Sequence, residues 1–182
     1  MNRNFTRFNF TRKIWLLISI ASGIATLFIV LYCILKYPEF QIYGEQFIKD
    51  EWSPFKFVQF KPMTLIFFFT FIWWGSLLQF LKPNISKLSK NWLNFAILLS
   101  FLVLFASFYE LFFNFSLWSS LMSVTNVTNP DILYNEFPNP STPVSLVYAT
   151  KIVVLIFSIS GYSIYFLHEL IKREKIDEQN PI

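Results

Sequence analysis

IWLLISIASGIATLFIVLYCIL, residues 14–35, is a run of 22 residues without a charged side chain. An α-helix rises about 1.5 Å per residue, so about 20 apolar residues cross the roughly 30 Å hydrocarbon core of a bilayer. The run is longer than the apolar part of a secretory signal peptide, and no A-x-A-like cleavage site follows it. It therefore predicts a transmembrane helix that is not cleaved from the chain.

Three further apolar runs lie at about 63–81, 92–113 and 146–167. The third keeps a helical pattern to about residue 122. Only 14% of the residues are charged, against about a quarter in soluble domains. The loops and the short charged tail at 168–182 are too small for a second globular domain. We therefore predict an all-α integral membrane protein whose single domain, 1–182, holds four transmembrane helices in an antiparallel bundle.

Lysine and arginine are distributed unevenly over the predicted loops and tails. Ten of them lie in the two tails and in the loop between the second and third runs, at Arg3, Arg7, Arg12, Lys13, Lys82, Lys87, Lys90, Lys172, Arg173 and Lys175. The loops on the opposite side, 36–62 and 123–145, hold only Lys36, Lys49, Lys56 and Lys61. Because basic residues are enriched on the cytoplasmic side, we expect a protein of the cell membrane with both termini cytoplasmic.

Polar residues within the runs recur at helical spacing. The third run has Ser100, Ser107, Glu110 and Asn114 on one stripe, and the fourth has Lys151, Ser158, Tyr162 and Tyr165. Polar groups facing lipid are costly, so we expect both stripes to face the interior of the bundle. Close helix packing explains such stripes, and small residues such as Ser19 and Gly23 let helices approach closely. A water-filled pathway would use the same stripes.

Glu110 lies deep in the third run, and no Lys or Arg is found within nineteen residues of it. Counting from the cytoplasmic ends of their helices places Glu110 and Lys151 at similar depths, near the outer edge of the hydrocarbon. They form a candidate intramembrane ion pair, since removing one partner of a buried pair costs about 3–5 kcal/mol. The pair is either structural or an ion- or proton-handling site, and Lys151 can instead extend toward the headgroups.

Both predicted outer loops have unusual compositions. In the first, Phe40, Tyr43, Phe47 and Trp52 recur near helical spacing, which predicts a short amphipathic helix at the membrane interface. Such a segment is either an aromatic anchor or a docking surface for another subunit. The second loop holds four prolines, which suit a recognition loop or a rigid cap, and its two acidic residues lack the spacing of a calcium-binding loop.

The chain lacks the residue sets that common catalytic sites need. It has one histidine, His168, and one cysteine, Cys33, too few for a bis-histidine haem or an intrachain disulfide. Walker A, G-x-S-x-G and HExxH motifs are missing. We therefore expect no catalytic residue, metal or cofactor. The net charge of +4 is explained by membrane topology, so nucleic acid is not an expected partner.

These features favour a non-enzymatic accessory or scaffold subunit of a larger membrane complex, for example a respiratory or membrane oxidase or monooxygenase assembly. The expected partners are the lipid bilayer and other membrane subunits, or a second copy of the chain. The alternative is a small transporter or channel with Glu110 and Lys151 near its outer mouth. A membrane enzyme with its site in the outer loops is a third hypothesis.

Overall fold

The computed structural model describes residues 3–36, 44–48, 50–55, 58–126 and 141–179. Within them the elements are α1 (Arg3–Lys36), α2 (Glu45–Ile48), β1 (Trp52–Phe55), β2 (Val58–Phe60), α3 (Pro62–Ile85), α4 (Lys90–Thr125) and α5 (Ser141–Gln179). Helices dominate, and the two short strands pair as an antiparallel hairpin.

Four of the helices are long and apolar enough to cross a membrane. The qualifying segments are Thr11–Lys36, Pro62–Ile85, Lys90–Thr125 and Pro143–Lys172. Each apolar run recognised in the sequence lies within one of these segments. The predicted number of long apolar helices is therefore confirmed.

The helix ends follow local backbone chemistry. Helix α3 begins at Pro62, after the extended backbone of Lys61, and proline suits this position because its missing N–H needs no partner there. The same helix runs through Pro83 in its last turn and ends four residues beyond the predicted end at residue 81. Helix α4 ends where Asn126 adopts a left-handed conformation with φ of 55°, a common way to terminate a helix.

Helix α5 is longer than the apolar run that it contains. It begins at Ser141, two residues before Pro143, which is buried. It continues to Gln179, so most of the charged tail is a direct extension of the helix. The tail is thus part of the same helical element as the fourth apolar run.

Helix α4 is a continuous helix of 36 residues. Its length is about 54 Å at a rise of about 1.5 Å per residue. Asn114 and Ser116 do not interrupt it. The Ser116 hydroxyl donates a hydrogen bond to the Phe112 carbonyl at 2.9 Å, within the helix itself. Leaving the hydrocarbon therefore requires no break in the helix.

The four long helices pack as a row in the order α1, α3, α5, α4. Helix α1 packs along α3, α4 packs along α5, and α3 and α5 join the two pairs, whereas α1 and α4 show no substantial mutual packing in the described residues. Gly23 allows close approach in the first pair, because a Cβ atom there would lie 3.1 Å from Cδ1 of Trp73. Ser19, on the same face, is 4% exposed. The predicted role of these small residues in helix packing is confirmed.

Two clusters of buried apolar side chains hold the row together. One joins the end of α1 to the start of α3 and consists of Ile29, Cys33, Phe47, Met63 and Ile66. The other joins the start of α4 to the far part of α5 and consists of Leu93, Phe166, Leu167 and Leu170. The clusters lie toward opposite ends of the molecule.

The described part of the segment between α1 and α3 folds onto the helices and does not form the predicted amphipathic helix. Helix α2 has only four residues, and its Phe47 is buried and stacks on Tyr148 of α5 at 5.8 Å between ring centroids. Trp52 lies in strand β1 and donates a hydrogen bond to Asp50, which also forms an ion pair with Lys36 at 2.9 Å. The aromatic spacing therefore reflects burial against α5 and hairpin formation. Phe40 and Tyr43 lie outside the described residues.

Candidate functional site

The polar stripe of α4 is largely turned toward α5. Ser107 is 5% exposed and Asn114 is 8% exposed, while Ser100 is half-buried. Both serines donate to carbonyls of their own helix, Ser100 to Ala96 at 2.9 Å and Ser107 to Val103 at 2.8 Å. Because these hydroxyl protons already have acceptors, the two serines need no water or ligand. Their contacts favour helix packing over a water-filled pathway.

The polar stripe of α5 is only partly turned toward a neighbouring helix. Ser158 donates to the Val154 carbonyl of its own helix at 2.8 Å. The Tyr162 hydroxyl accepts a hydrogen bond from Gln79 of α3 at 3.1 Å. Tyr165 is exposed, and so it lies away from the packed face. Tyr162 therefore takes part in helix packing, and Tyr165 does not.

A second hydrogen bond between α3 and α5 involves residues that the sequence analysis did not single out. Trp74 Nε1 donates to Ser163 Oγ at 2.9 Å, and Ser163 in turn donates to the Ile159 carbonyl at 2.8 Å. The signal in the sequence was a lone amide, Gln79, five residues after Trp74 in an apolar run. Such a pattern marks the helix face that has polar partners.

Glu110 and Lys151 do not form a salt bridge with each other in the described structure. The Glu110 side chain is exposed, whereas Lys151 is half-buried. Helical geometry explains the separation, because a residue three positions after Ser107 is rotated by about 60° from it. Similar depth therefore did not bring the two charges together, and any coupling between them through water stays a prediction.

Lys151 lines a groove between the C-terminal half of α4 and the N-terminal half of α5, with a volume of about 700 Å³. The α4 wall includes Phe108, Leu111 and Trp118, and the α5 wall includes Val147. Lys151 is the charged side chain of a lining that is otherwise apolar except for Asn114 and Thr150. Thr150 already donates to the Leu146 carbonyl at 2.7 Å. The groove thus combines an apolar surface with one cationic group.

Lys61 is a second cation, outside the groove lining, that the sequence analysis counted only for topology. It directly precedes α3, is half-buried, and its charge acts on Lys151. Among the described residues, neither lysine takes part in an ion pair. In the described part of the chain neither of these two positive charges is paired with a carboxylate, and such an arrangement attracts an anion.

The described residues contain no group of three or more histidine, cysteine, aspartate or glutamate side chains able to hold a metal ion. Cys33 is buried in the first apolar cluster, and His168 is exposed. Asp131 and Glu136 lie outside the described residues. The chemistry available in the described part is therefore binding by an apolar groove with cationic groups.

Comparison with known proteins finds no matching family model, no matching curated protein and no matching solved structure.

Proposed function

We propose that the chain is a multi-pass protein of the cell membrane and a non-enzymatic accessory or scaffold subunit of a larger membrane complex. Four long apolar helices support membrane insertion. Contacts along α4 and α5 support an antiparallel arrangement, because Leu93 at the start of α4 packs with Leu170 toward the end of α5. The excess of basic residues in the tails and in the loop between α3 and α4 supports cytoplasmic termini.

The length of α4 is the observation that carries the subunit proposal. Lys90 and Trp92 mark its cytoplasmic end, as basic and aromatic residues do at membrane interfaces. At an average tilt of about 20°, its roughly 54 Å extend about 50 Å along the membrane normal, more than the whole bilayer of about 40–45 Å. The outer end of α4 therefore projects beyond the hydrocarbon and through the headgroups.

This projecting end carries an apolar side chain that nothing in the described residues covers. Val124, about 48 Å from Lys90 along the membrane normal at that tilt, is 82% exposed. Lipid tails cover the exposed faces of α1 and the inner part of α4, but they do not reach this height. Exposed apolar surface in contact with water favours a protein partner. A second membrane subunit or another copy of the chain fits this surface.

Photo-crosslinking in native membranes tests the proposal. A photoreactive residue is introduced at Val124, which is 82% exposed, and at Leu98 as a control that is 57% exposed but within the hydrocarbon. We expect discrete protein adducts from position 124 and mainly lipid adducts from position 98. Mass spectrometry of each adduct then separates a different subunit from a second copy of this chain.

The opposing result is equally clear. If position 124 gives no protein adduct and the chain purifies in gentle detergent as a monodisperse single-component monomer, the subunit proposal is wrong. A control variant with the photoreactive residue at exposed Leu88, in the loop between α3 and α4, reports whether adduct formation is specific to the outer end.

The groove beside Lys151 favours one alternative, a small transporter or channel that uses Lys151 and Glu110 near its outer mouth. The serines of the α4 stripe argue against a continuous pathway, because their hydroxyl groups donate hydrogen bonds within their own helix. Ion flux into proteoliposomes distinguishes the two functions. Flux that is saturable and lost in Lys151→Met would favour the transporter, and flux equal to that of empty liposomes would exclude it.

A further inference from the structure

Lys151 occupies an unusual position for a cation. Its stem lies along an apolar groove, and the like charge of Lys61 acts on it while no described carboxylate pairs with either. Keeping a charge in apolar surroundings without a partner is costly, and a neighbouring charge of the same sign adds to that cost. An anion bound between the two lysines removes both penalties.

The height of the two lysines indicates which anion is available. Lys61 directly precedes the apolar helix α3, so it lies at the outer end of that span. Lys151 lies eight residues after Pro143, about 12 Å into the span of α5, and its long side chain can extend outward along the helix. Both ammonium groups can thus reach the level where the phosphates of the outer leaflet lie.

The groove itself fits an acyl chain. Its volume of about 700 Å³ lies within the roughly 300–1,000 Å³ typical of small-molecule sites. Its walls are aromatic and aliphatic, with Phe108, Leu111 and Trp118 on α4 and Val147 on α5. Phe112, at its edge, is 62% exposed, so the groove is accessible from the surrounding bilayer. An extended peptide in this position would leave backbone polar groups without partners, whereas a hydrocarbon chain leaves none.

We propose that this groove binds an anionic phospholipid of the outer leaflet, with one acyl chain between α4 and α5 and the phosphate held by Lys151 and Lys61. The two lysines neutralise the headgroup, and the bound lipid fills the space that separates the outer halves of the two helices. The lipid therefore stabilises the packing of the end of α4 on the start of α5. The buried cluster around Leu93 lies at the opposite end of this helix pair.

Native mass spectrometry of the full chain in detergent, titrated with phosphatidylglycerol or phosphatidylcholine, tests this site. We expect phosphatidylglycerol to bind about tenfold more tightly, and Lys151→Met to weaken its binding about tenfold, the loss of one charged hydrogen bond. Lys151→Arg keeps the charge and should stay within about threefold of the wild type. Lys87→Met, an equal charge change at an exposed inner loop, should leave binding unchanged.

A further variant separates the acyl chain from the headgroup. Val147→Trp fills the groove while keeping both lysines, so it should abolish tight binding of phosphatidylglycerol. Inorganic phosphate should not displace the lipid. If Lys151→Met does not fold, Lys61→Met replaces it, with an expected loss of about threefold since this lysine is farther from the groove.

Several results would overturn the proposal. Equal affinities for the two lipids, or equal effects of Lys87→Met and Lys151→Met, would mean that the lysines do not recognise the headgroup. Full binding in Val147→Trp would place the lipid elsewhere. Displacement by inorganic phosphate would indicate a site for a free anion. If Lys151→Met loses a bound protein and not a bound lipid, the groove is a protein-binding site.

Discussion

Trp74 and Ser163 join the two central helices of the row through a hydrogen bond from the indole Nε1 to the serine Oγ, 2.9 Å long. Ser163 is 7% exposed, so this contact is shielded from the surroundings. The serine is satisfied twice, because it also donates to the Ile159 carbonyl of its own helix. The tryptophan N–H has only the serine oxygen as its acceptor among the described contacts, and the two partners therefore differ in what each loses on mutation.

Ser163→Ala should destabilise the protein by about 1–2 kcal/mol, because the Trp74 N–H then lacks an acceptor in apolar surroundings. Trp74→Phe removes the donor instead and leaves Ser163 with its bond to Ile159. The matched control is Ser158→Ala, whose hydroxyl donates only within its own helix, and it should be nearly neutral. Thermal unfolding in detergent measures all three. An equal effect of the two serine variants would contradict a stabilising role for the bond between helices.

Gly44→Ala should be among the most destabilising conservative changes in the chain. Gly44 has a φ of 89°, which other residues rarely adopt, and a Cβ atom there would overlap the ring of Tyr148. Backbone strain and overlap together should cost about 2–4 kcal/mol of unfolding free energy. Gly75→Ala is the control, since its Cβ would meet Tyr162 at an ordinary 3.6 Å. Similar unfolding temperatures for the two variants would show that the segment at Gly44 does not pack on α5 as described.

The four long helices were predictable because hydropathy over twenty residues reports directly on the ability to cross a bilayer. Which helices pack side by side was not predictable, because α3 and α4 are adjacent in sequence but α5 packs between them. Hydropathy carries no information on which faces meet. The signals that do, Gln79 in α3 and Tyr162 in α5, become informative only when both helices are considered together.

Glu110 shows a second limit of sequence reasoning. Counting residues fixes depth along a helix, but contact also depends on rotation about its axis, and Glu110 is rotated away from the buried face that holds Ser107. Lys61 was missed for the opposite reason. It precedes the second apolar run in the sequence, yet in the folded chain its charge acts on Lys151.

Glu110→Gln and Lys151→Met should act independently on stability. The two side chains share no salt bridge, so the double variant should equal the sum of the singles within about 0.5 kcal/mol. Lys151→Met alone should stabilise the lipid-free protein, because it removes an unpaired cation from an apolar groove. Thermal unfolding of the singles and the double in lipid-free detergent measures the coupling. A coupling above about 1 kcal/mol would restore the ion pair that the sequence suggested.

Membrane orientation and the projecting end of α4 can be tested with the same labelling experiment. Cys33 is buried and is replaced by alanine to give a cysteine-free background. A cysteine is then introduced at Leu88, between α3 and α4, or at Val124, near the end of α4, both of which are exposed. If the termini are cytoplasmic, a membrane-impermeant maleimide added to intact cells should label position 124 and leave position 88 unlabelled.

The rate of labelling at position 124 then reports on the partner. If another subunit covers the outer end of α4, labelling in native membranes should be slow and should rise severalfold after detergent separates the complex, while position 88 in opened vesicles should react at the same rate before and after. Labelling of position 88 in intact cells would show that the topology is the reverse of the one proposed. Fast labelling of position 124 in native membranes, unchanged by detergent, would show an uncovered helix end and remove the main support for a subunit role.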